Sequence, residues 1–492
     1  MRSGFASHRA AVLGIAAAAL TAAALRVPFI WAGIGPDEGG YAYVAREWAR
    51  GAALYKDVWI DRPQGLILLY RALVDISATP AMIRIGAVLA GVVLTLLLAA
   101  LAWRLASPRA GVAAATMFAV VGVGPHIEGF TMNGELAAAV PATGAILAAV
   151  IWHGTRRRPW LVAAGALGAA GILMKQSGID GLVAVSVFAL VVGAGALARV
   201  KQLALVAAGA AIPLAAAALH GLSVGWSTYW TDVVGYRATQ DLQGKGPSRS
   251  EFFSISVNHW RPDLLALAIV AVLGLVVCLR RRSTLSIAPI WLLAAILGVN
   301  IGGHFWPHYF VQVIPPLALM AALGTTAFRY RPPAVALTCF AIAPVAWSLG
   351  HYASFSVYRR EHAISYVVGY HKDKAVARFV RAHTTRRDRV YALASRADLY
   401  FLADRRAAFP YLWRNSPLAE PRNMKKLRLL LRSPRRPRIV VQFQPPNSVD
   451  GSGRLAAALR ANYRQIWLYR GTPNVPVLEA RQSSPRTGPV RY

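Results

Sequence analysis

The sequence predicts a polytopic α-helical membrane protein of about eleven transmembrane helices, followed by a small extracytoplasmic α/β domain. Three observations predict it. Hydrophobic residues make up 56% of the 492-residue chain and charged residues only 15%, outside the range of soluble globular domains. Apolar runs of bilayer-spanning length recur through residues 1–350. Every second short loop between those runs is basic, the pattern of a chain threaded back and forth across a membrane.

The first run, within residues 1–33, follows Arg2 and Arg9. A signal peptide has the same beginning, but an acidic loop follows instead of a soluble domain, so an uncleaved first helix is expected. Further runs lie near 82–103, 110–125, 135–153, 159–174, 178–198, 202–223, 262–279, 284–302, 308–328 and 333–350. The basic loops are Arg104 with Arg109, Arg156 to Arg158, Arg199 with Lys201, Arg280 to Arg282, and Arg329 with Arg331. With the N-terminus cytoplasmic, the intervening loops face outward. They carry Asp37, Glu38, Asp57, Asp61, Glu128, Glu135, Lys175, the 224–261 segment, His304 and His308. Residues 1–350 are therefore read as a transmembrane module with a first outer loop at 34–81, and 351–492 as an outer domain. Heavy use of Ala and Arg fits a bacterial genome and hence a bacterial plasma membrane.

Within 351–492, residues 374–383, 424–432 and 453–461 have helical patterns, while 389–395, 438–443 and 463–470 read as strands. Alternation of the two predicts an α/β domain with a partly parallel sheet and a loose final dozen residues. A phosphate-binding glycine loop and a nucleophile elbow are both missing from it. It is expected to support or recognise.

The net charge is +33, and residues 351–492 hold 28 Lys and Arg against 8 Asp and Glu. Such a surplus can mark a nucleic-acid partner. A basic domain beside an anionic bilayer explains it more simply, at about 1 kcal/mol per nearby cation. No nucleic-acid partner is expected, whereas membrane lipids are. Cys278 and Cys339 both lie in apolar runs, which excludes a disulfide framework and a cysteine-based metal site.

Chemistry concentrates in the outward loops. Asp37 and Glu38 follow Gly35-Pro36 at the exit of the first run, where carboxylates are costly unless they face water or substrate. Glu38 also suits the first turn of the next helix. That helix looks amphipathic, with Tyr41, Val44, Ala45 and Trp48 on one face and Arg46, Glu47 and Arg50 on the other, as for a helix lying on the membrane. Asp57, Asp61 and Arg62 come next. Turn chemistry accounts for Asp61 before Pro63 and Gly65, and Asp-Arg-Pro beside Trp59 equally suits sugar or phosphate binding. Asn133 and Glu135 open a helix as cap and first-turn acid, and Glu128 or Glu135 is a candidate second carboxylate. Lys175 and Gln176 interrupt two apolar runs on a face the loop rule leaves uncharged; such a cation would neutralise a leaving phosphate. His304 and His308, four residues apart in a segment read as helical, have the spacing of zinc ligands, but no third ligand lies near. Hydrogen bonds to phosphate or hydroxyl groups are their expected role. The aromatic 224–261 segment, with Trp226, Tyr229, Trp230, His259 and Trp260, reads as a mobile loop over a site or as an interfacial belt.

Together these stretches resemble the GT-C superfamily of polyprenyl-phosphate-sugar-dependent glycosyltransferases, in the branch of bacterial protein O-mannosyltransferases and lipid A aminoarabinose transferases. The likeness is carried by Asp37-Glu38 with Tyr41 and Ala45; by Gly51, Tyr55 and Asp57; by Arg62-Pro63-Gln64-Gly65; by Asn133 and Glu135; by Met174-Lys175-Gln176; and by His308-Tyr309-Phe310 before Pro315-Pro316. The 388–406 stretch is similar to the outer domain of bacterial members. The resemblance implies inverting transfer of a sugar from a polyprenyl phosphate to a hydroxyl of a glycan, lipid or protein acceptor at the outer membrane face. Asp37 would be the base, assisted by Glu135. Lys175, Arg62 and His308 would hold the departing phosphate. Gln64 stands where many relatives have a second proline, which alters the loop. The carboxylates could supply the oxygen ligands that Mg²⁺ or Ca²⁺ prefers, but the branch is not generally metal-dependent, so no cofactor is expected. A transporter or flippase of lipid-linked sugars is the alternative. It predicts inverted repeats and charges at the bilayer midplane, whereas here the charges cluster at one face. A non-catalytic scaffold predicts no converging carboxylates.

Overall fold

The computed structural model describes residues 2–237, 248–281, 286–328, 330–356, 359, 369–393, 396–413 and 416–481. The expected loose final residues, parts of the 224–261 and 389–395 segments, Arg282 and Arg329 lie outside them. Two compact units emerge: residues Met1–Gly33 with Asp61–Val368, and Ile34–Ile60 with Gly369–Tyr492. Residues 34–60, which the sequence reading groups with the helical module, thus pack with the C-terminal residues.

The first unit is a bundle of apolar helices: α1 (Arg2–Ala24), α3 (Gln64–Ile76), α4 (Pro80–Leu105), α5 (Pro108–Val121), α6 (Gly134–Thr155), α7 (Arg158–Met174), α8 (Asp180–Val192), α9 (Ala196–Val224), α10 (Trp226–Trp230), α11 (Arg249–Arg280), α12 (Ile287–Gly302), α13 (Ile314–Thr325) and α14 (Arg331–Ala353). α2 belongs to the other unit. Seven helical stretches among the described residues are long and apolar enough to cross a membrane, and four shorter apolar helices accompany them. Each apolar run of the sequence has its helix, and the chain is a multi-pass membrane protein.

Helix starts follow local chemistry. Pro80 and Pro108 occupy first positions behind the N-caps Thr79 and Ser107, and Asn133 caps α6 by accepting from the Leu136 N–H at 2.8 Å. α11 starts at Arg249, well before the run at 262, because Ser248 and Glu251 form a capping box. With α10 helical as well, the described part of the 224–261 segment is helix where a loop was expected. Small residues let the helices approach closely. A Cβ on Gly165 of α7 would lie 2.0 Å from the Val206 carbonyl oxygen of α9, and one on Gly209 would lie 1.9 Å from that of Val162. Two buried arginines close the bundle ends. Arg26 donates to the Gly122 carbonyl at 2.6 Å, and Arg84 donates through Nε and Nη2 to that of Gly33 at 3.0 and 2.6 Å.

The second unit comprises α2 (Pro36–Ala49), α15 (Tyr370–Ala382), β1 (Arg389–Ala392), α16 (Asp398–Ala403), β2 (Arg406–Ala407), α17 (Pro421–Arg432), β3 (Ile439–Val441), α18 (Pro446–Val449), α19 (Arg454–Asn462), β4 (Tyr463–Tyr469) and β5 (Val475–Ala480). The sheet order is β2-β1-β3-β5-β4. β1 pairs in parallel with β2 and β3, while β5 runs antiparallel to β3 and β4. This is the partly parallel sheet expected, with β2 and β5 added. Tyr391, Leu427, Leu431, Val440, Leu455 and Leu459 fill its core.

α2 is helical as expected, but its polar face is not solvated. Arg46 and Glu47 are buried; Arg46 pairs with Asp404 at 2.9 Å and donates to the Tyr400 carbonyl at 3.1 Å. The face read as polar and solvated is packed at α16 instead, where Asp404 and the Tyr400 carbonyl supply the partner and hydrogen bond that a buried charge needs.

Candidate active site

In the first unit, four breaks between helices bring together candidate residues that are far apart in sequence. Gly65, at the start of α3, has no room for a Cβ, which would lie 2.6 Å from the Leu173 carbonyl near the end of α7. This contact sets the 61–63 turn beside the 175–177 turn, and Gln176 donates to the Asp61 carbonyl at 2.6 Å and to that of Val233 at 2.8 Å. Lys175 is buried and its Nζ pairs with Glu135 in the first turn of α6. The same Nζ stands 3.6 Å from the centre of the Tyr309 ring. His308 lies at the start of a 3₁₀ turn, Pro307–Val313. Its Nδ1 is 2.8 Å from Glu128 Oε2, and its Nε2 is 3.9 Å from Glu135 Oε1. Glu128 adopts a left-handed backbone, φ 59°, which turns the loop before α6. Asp61 pairs with Arg62 at 3.0 Å and also with Arg237.

Asp61, Arg62, Glu128, Glu135, Lys175, Gln176, His308 and Tyr309 therefore converge. Burial pushes the Lys175 ammonium down to about 8, with the neighbouring Glu135 opposing the fall. Burial would raise the Asp61 carboxyl, but Arg237 and Arg62 together hold it below the usual carboxylate range.

His304 has a different setting. Gly303 (φ 78°) and Phe305 (φ 46°) break the chain before Pro307, so residues 303–306 are not helical and the helical i, i+4 face expected for His304 and His308 does not form. The His304 ring packs edge-on against Phe252, with centroids 5.3 Å apart. Among the described residues, no group of three or more His, Cys, Asp or Glu is arranged to hold a metal ion.

The second unit holds the other candidates. Asp37 is half-buried, and its Oδ1 accepts a hydrogen bond from the Trp413 indole N–H at 3.0 Å. Glu38 is fully buried and caps α2, accepting from the Gly35 N–H at 3.2 Å. Tyr41 is buried with its ring 6.1 Å from that of Trp413. Asp57 is exposed and accepts from the Ala53 N–H at 2.8 Å, so the turn role expected of Asp61 falls to Asp57.

The profile of the dolichyl-phosphate-mannose-protein mannosyltransferase family matches residues 61–220. No curated protein matches the sequence significantly. The crystal structure of ArnT from Cupriavidus metallidurans bound to undecaprenyl phosphate superposes with a TM-score of 0.67 at 16% identity, covering 96% of this chain and 98% of that one. The fold is that of the GT-C glycosyltransferases. The archaeal oligosaccharyltransferase AglB from Archaeoglobus fulgidus, in complex with an inhibitory peptide and a dolichol-phosphate, shares this GT-C fold with a TM-score of 0.55 at 13% identity. That match covers 97% of this chain and 75% of the archaeal one.

Two residues of this chain escaped sequence reasoning. Arg237 carried a usable signal, since it is a cation in a segment that the loop rule expects to be non-basic, as Lys175 is. Trp413 carried none, because its partner Asp37 is 376 residues away. Chemically, the first-unit cluster sets Arg62, Lys175, Arg237 and His308 among three carboxylates. The carboxylates hold the cations in place, and an incoming phosphate would compete with them for the same donors.

Proposed function

We propose that the chain is an inverting glycosyltransferase that moves a sugar from a polyprenyl-phosphate donor to an acceptor hydroxyl at the outer face of a bacterial plasma membrane. The observation that carries this reading is the buried cluster of Lys175, Glu135, His308, Arg62, Asp61 and Arg237 on a GT-C fold. Donor phosphate is the leaving group. Lys175, Arg62, Arg237 and His308 supply the positive charge that stabilises it as the glycosidic C–O bond breaks. Glu135 and Glu128 hold Lys175 and His308 in place, and Gln176 ties the two loops. Asp37 takes the proton of the attacking hydroxyl. The acceptor oxygen forms the new bond at the opposite face of the anomeric carbon, which inverts it. Glu38 supports Asp37 by capping its helix, and Tyr41 packs beside it. Charge stabilisation comes from side chains, so the reaction is expected to survive a chelator. The loop alternation supports an outer-face reaction, because the cluster lies in the non-basic set of loops.

The test uses the full chain in proteoliposomes with a panel of undecaprenyl-phosphate donors carrying mannose, arabinose, aminoarabinose or galacturonic acid. The acceptor is an envelope extract of a deletion strain. Transfer by the wild type that falls at least a hundredfold in Asp37→Asn is expected. Asp37→Asn at near wild-type rate removes the base assignment, and no transfer from any donor removes the reading as a whole. Export of intact lipid-linked sugar without a new glycosidic bond would favour the flippase.

A further inference from the structure

Asp37 is the second residue of α2, a position from which a carboxylate often folds back onto the free N–H groups of its own helix. Here Glu38 takes that task, through the Gly35 N–H. Asp37 is left to a partner far away in sequence, the Trp413 indole, whose N–H reaches Oδ1 at 3.0 Å. Among the described residues no hydrogen bond holds Oδ2.

The indole has been given a prepared seat. Gly40 brings the α2 backbone so close that a Cβ there would lie 2.3 Å from Trp413 Cζ2 and 2.8 Å from Ala397 Cβ. At Gly39 a Cβ would lie 2.4 Å from Asp398 Cβ. Two further rings flank the indole: Tyr41 at 6.1 Å and Trp59, edge-on, at 6.5 Å. Edge and tilted contacts of this kind fix the plane of an aromatic ring. A Trp buried only for its area would need none of this, and its N–H would be satisfied by any carbonyl.

We propose that Trp413 is a positioning residue of the transfer reaction: its N–H fixes one carboxylate oxygen of Asp37 so that the other faces the acceptor hydroxyl. The proposal rests on Asp37 being the base. A carboxylate free to rotate spends part of its time with neither oxygen aligned, and a misplacement of about 1 Å can cost up to a hundredfold in rate. The C-terminal residues, which carry no catalytic motif, thereby contribute to the chemistry.

The experiment compares full-length wild type, Trp413→Phe and Trp413→His, with the active donor of the panel above. Phe keeps a ring and loses the donor. In His, Nε2 stands at the same ring position as the indole Nε1 and restores an N–H. Trp413→Phe is expected to lower kcat about tenfold, to leave KM for the donor within about twofold and the melting temperature within about two degrees. Trp413→His is expected to recover most of kcat. Unchanged kcat in Trp413→Phe overturns the proposal. So does a loss that comes with a lower melting temperature or a raised KM and is not recovered by Trp413→His, since that is the mark of packing alone. Failure of the base assignment reads differently: Asp37→Asn then keeps near wild-type activity whatever Trp413 does.

Discussion

Lys175 keeps its charge against burial, and this makes the cluster sensitive to alkali. Its ammonium is pushed down to about 8, so the cation that would meet the phosphate is lost as pH rises through that value. Transfer is therefore expected to decline above about pH 8 in the wild type, while Lys175→Arg holds its rate there, because arginine stays charged. Lys175→Met is expected to lose at least tenfold at neutral pH. The measurement is a pH–rate profile of the three proteins, and a wild-type profile that stays flat to pH 10 would count against the loss of a required charge at Lys175 near pH 8. This residue was legible in the sequence because it breaks the loop alternation. Glu135 was legible as a first-turn acid, and the structure adds its pairing with Lys175. The shared helical face assumed for His304 and His308 fails for a physical reason. Four-residue spacing implies a shared face only inside a helix, and Gly303 and Phe305 hold this stretch in left-handed turns.

Among the elements, α2 illustrates where pattern reading stops. Periodicity identified the helix but not its environment, since a polar face can be wet or can be matched by buried partners elsewhere in the chain. Arg46 meets Asp404, 358 residues away, and no local signal encodes that. Gly39 and Gly40 were the missed clue: two glycines inside a helix cost stability unless something packs against them. Gly40→Ala puts a methyl group 2.3 Å from Trp413 Cζ2, so α2 or the indole must shift. A loss of about 1–3 kcal/mol is expected, the usual range for overpacking. Thermal unfolding followed by tryptophan fluorescence measures it. Gly51→Ala, where no atom lies within 4 Å but φ is 93°, is the contrasting control for backbone strain without a clash.

At the scale of the whole molecule, the apolar runs were readable because bilayer thickness fixes a minimum length for a spanning helix. The α/β unit was readable in part. The two-residue β2 is too short to carry a periodicity, and β5 was overlooked because Pro476 inside it reads against a strand. The same unit contains a pH dependence. Asp373 and Asp398 are both buried, and burial raises both carboxyls, with the charge of Asp398 adding to the rise at Asp373 and Arg396 opposing both shifts. A carboxyl raised in the folded state keeps a proton that the unfolded chain releases. Stability is therefore greatest on the acid side and falls as pH rises out of the ordinary carboxylate range towards the raised values. Asp398→Asn keeps the shape without the charge. It is expected to raise the melting temperature at neutral pH and to flatten the slope above the ordinary carboxylate range, about pH 4. A slope unchanged from wild type would mean that other groups carry it.

The discontinuity of the second unit also has a temporal side. Residues 34–60 leave the ribosome early, but the segment they fold with begins only at Gly369. About 300 residues separate the two, and at about 5–20 residues per second this is a wait of roughly 15–60 s. Throughout that interval Arg46 lacks Asp404 and Gly40 has no indole to rest against. The nascent helix must be tolerated half-finished while several membrane spans are inserted behind it. A ribosome stalled before residue 369 would hold Asp37 without its Trp413 partner, so that hydrogen bond is one of the last contacts that synthesis completes.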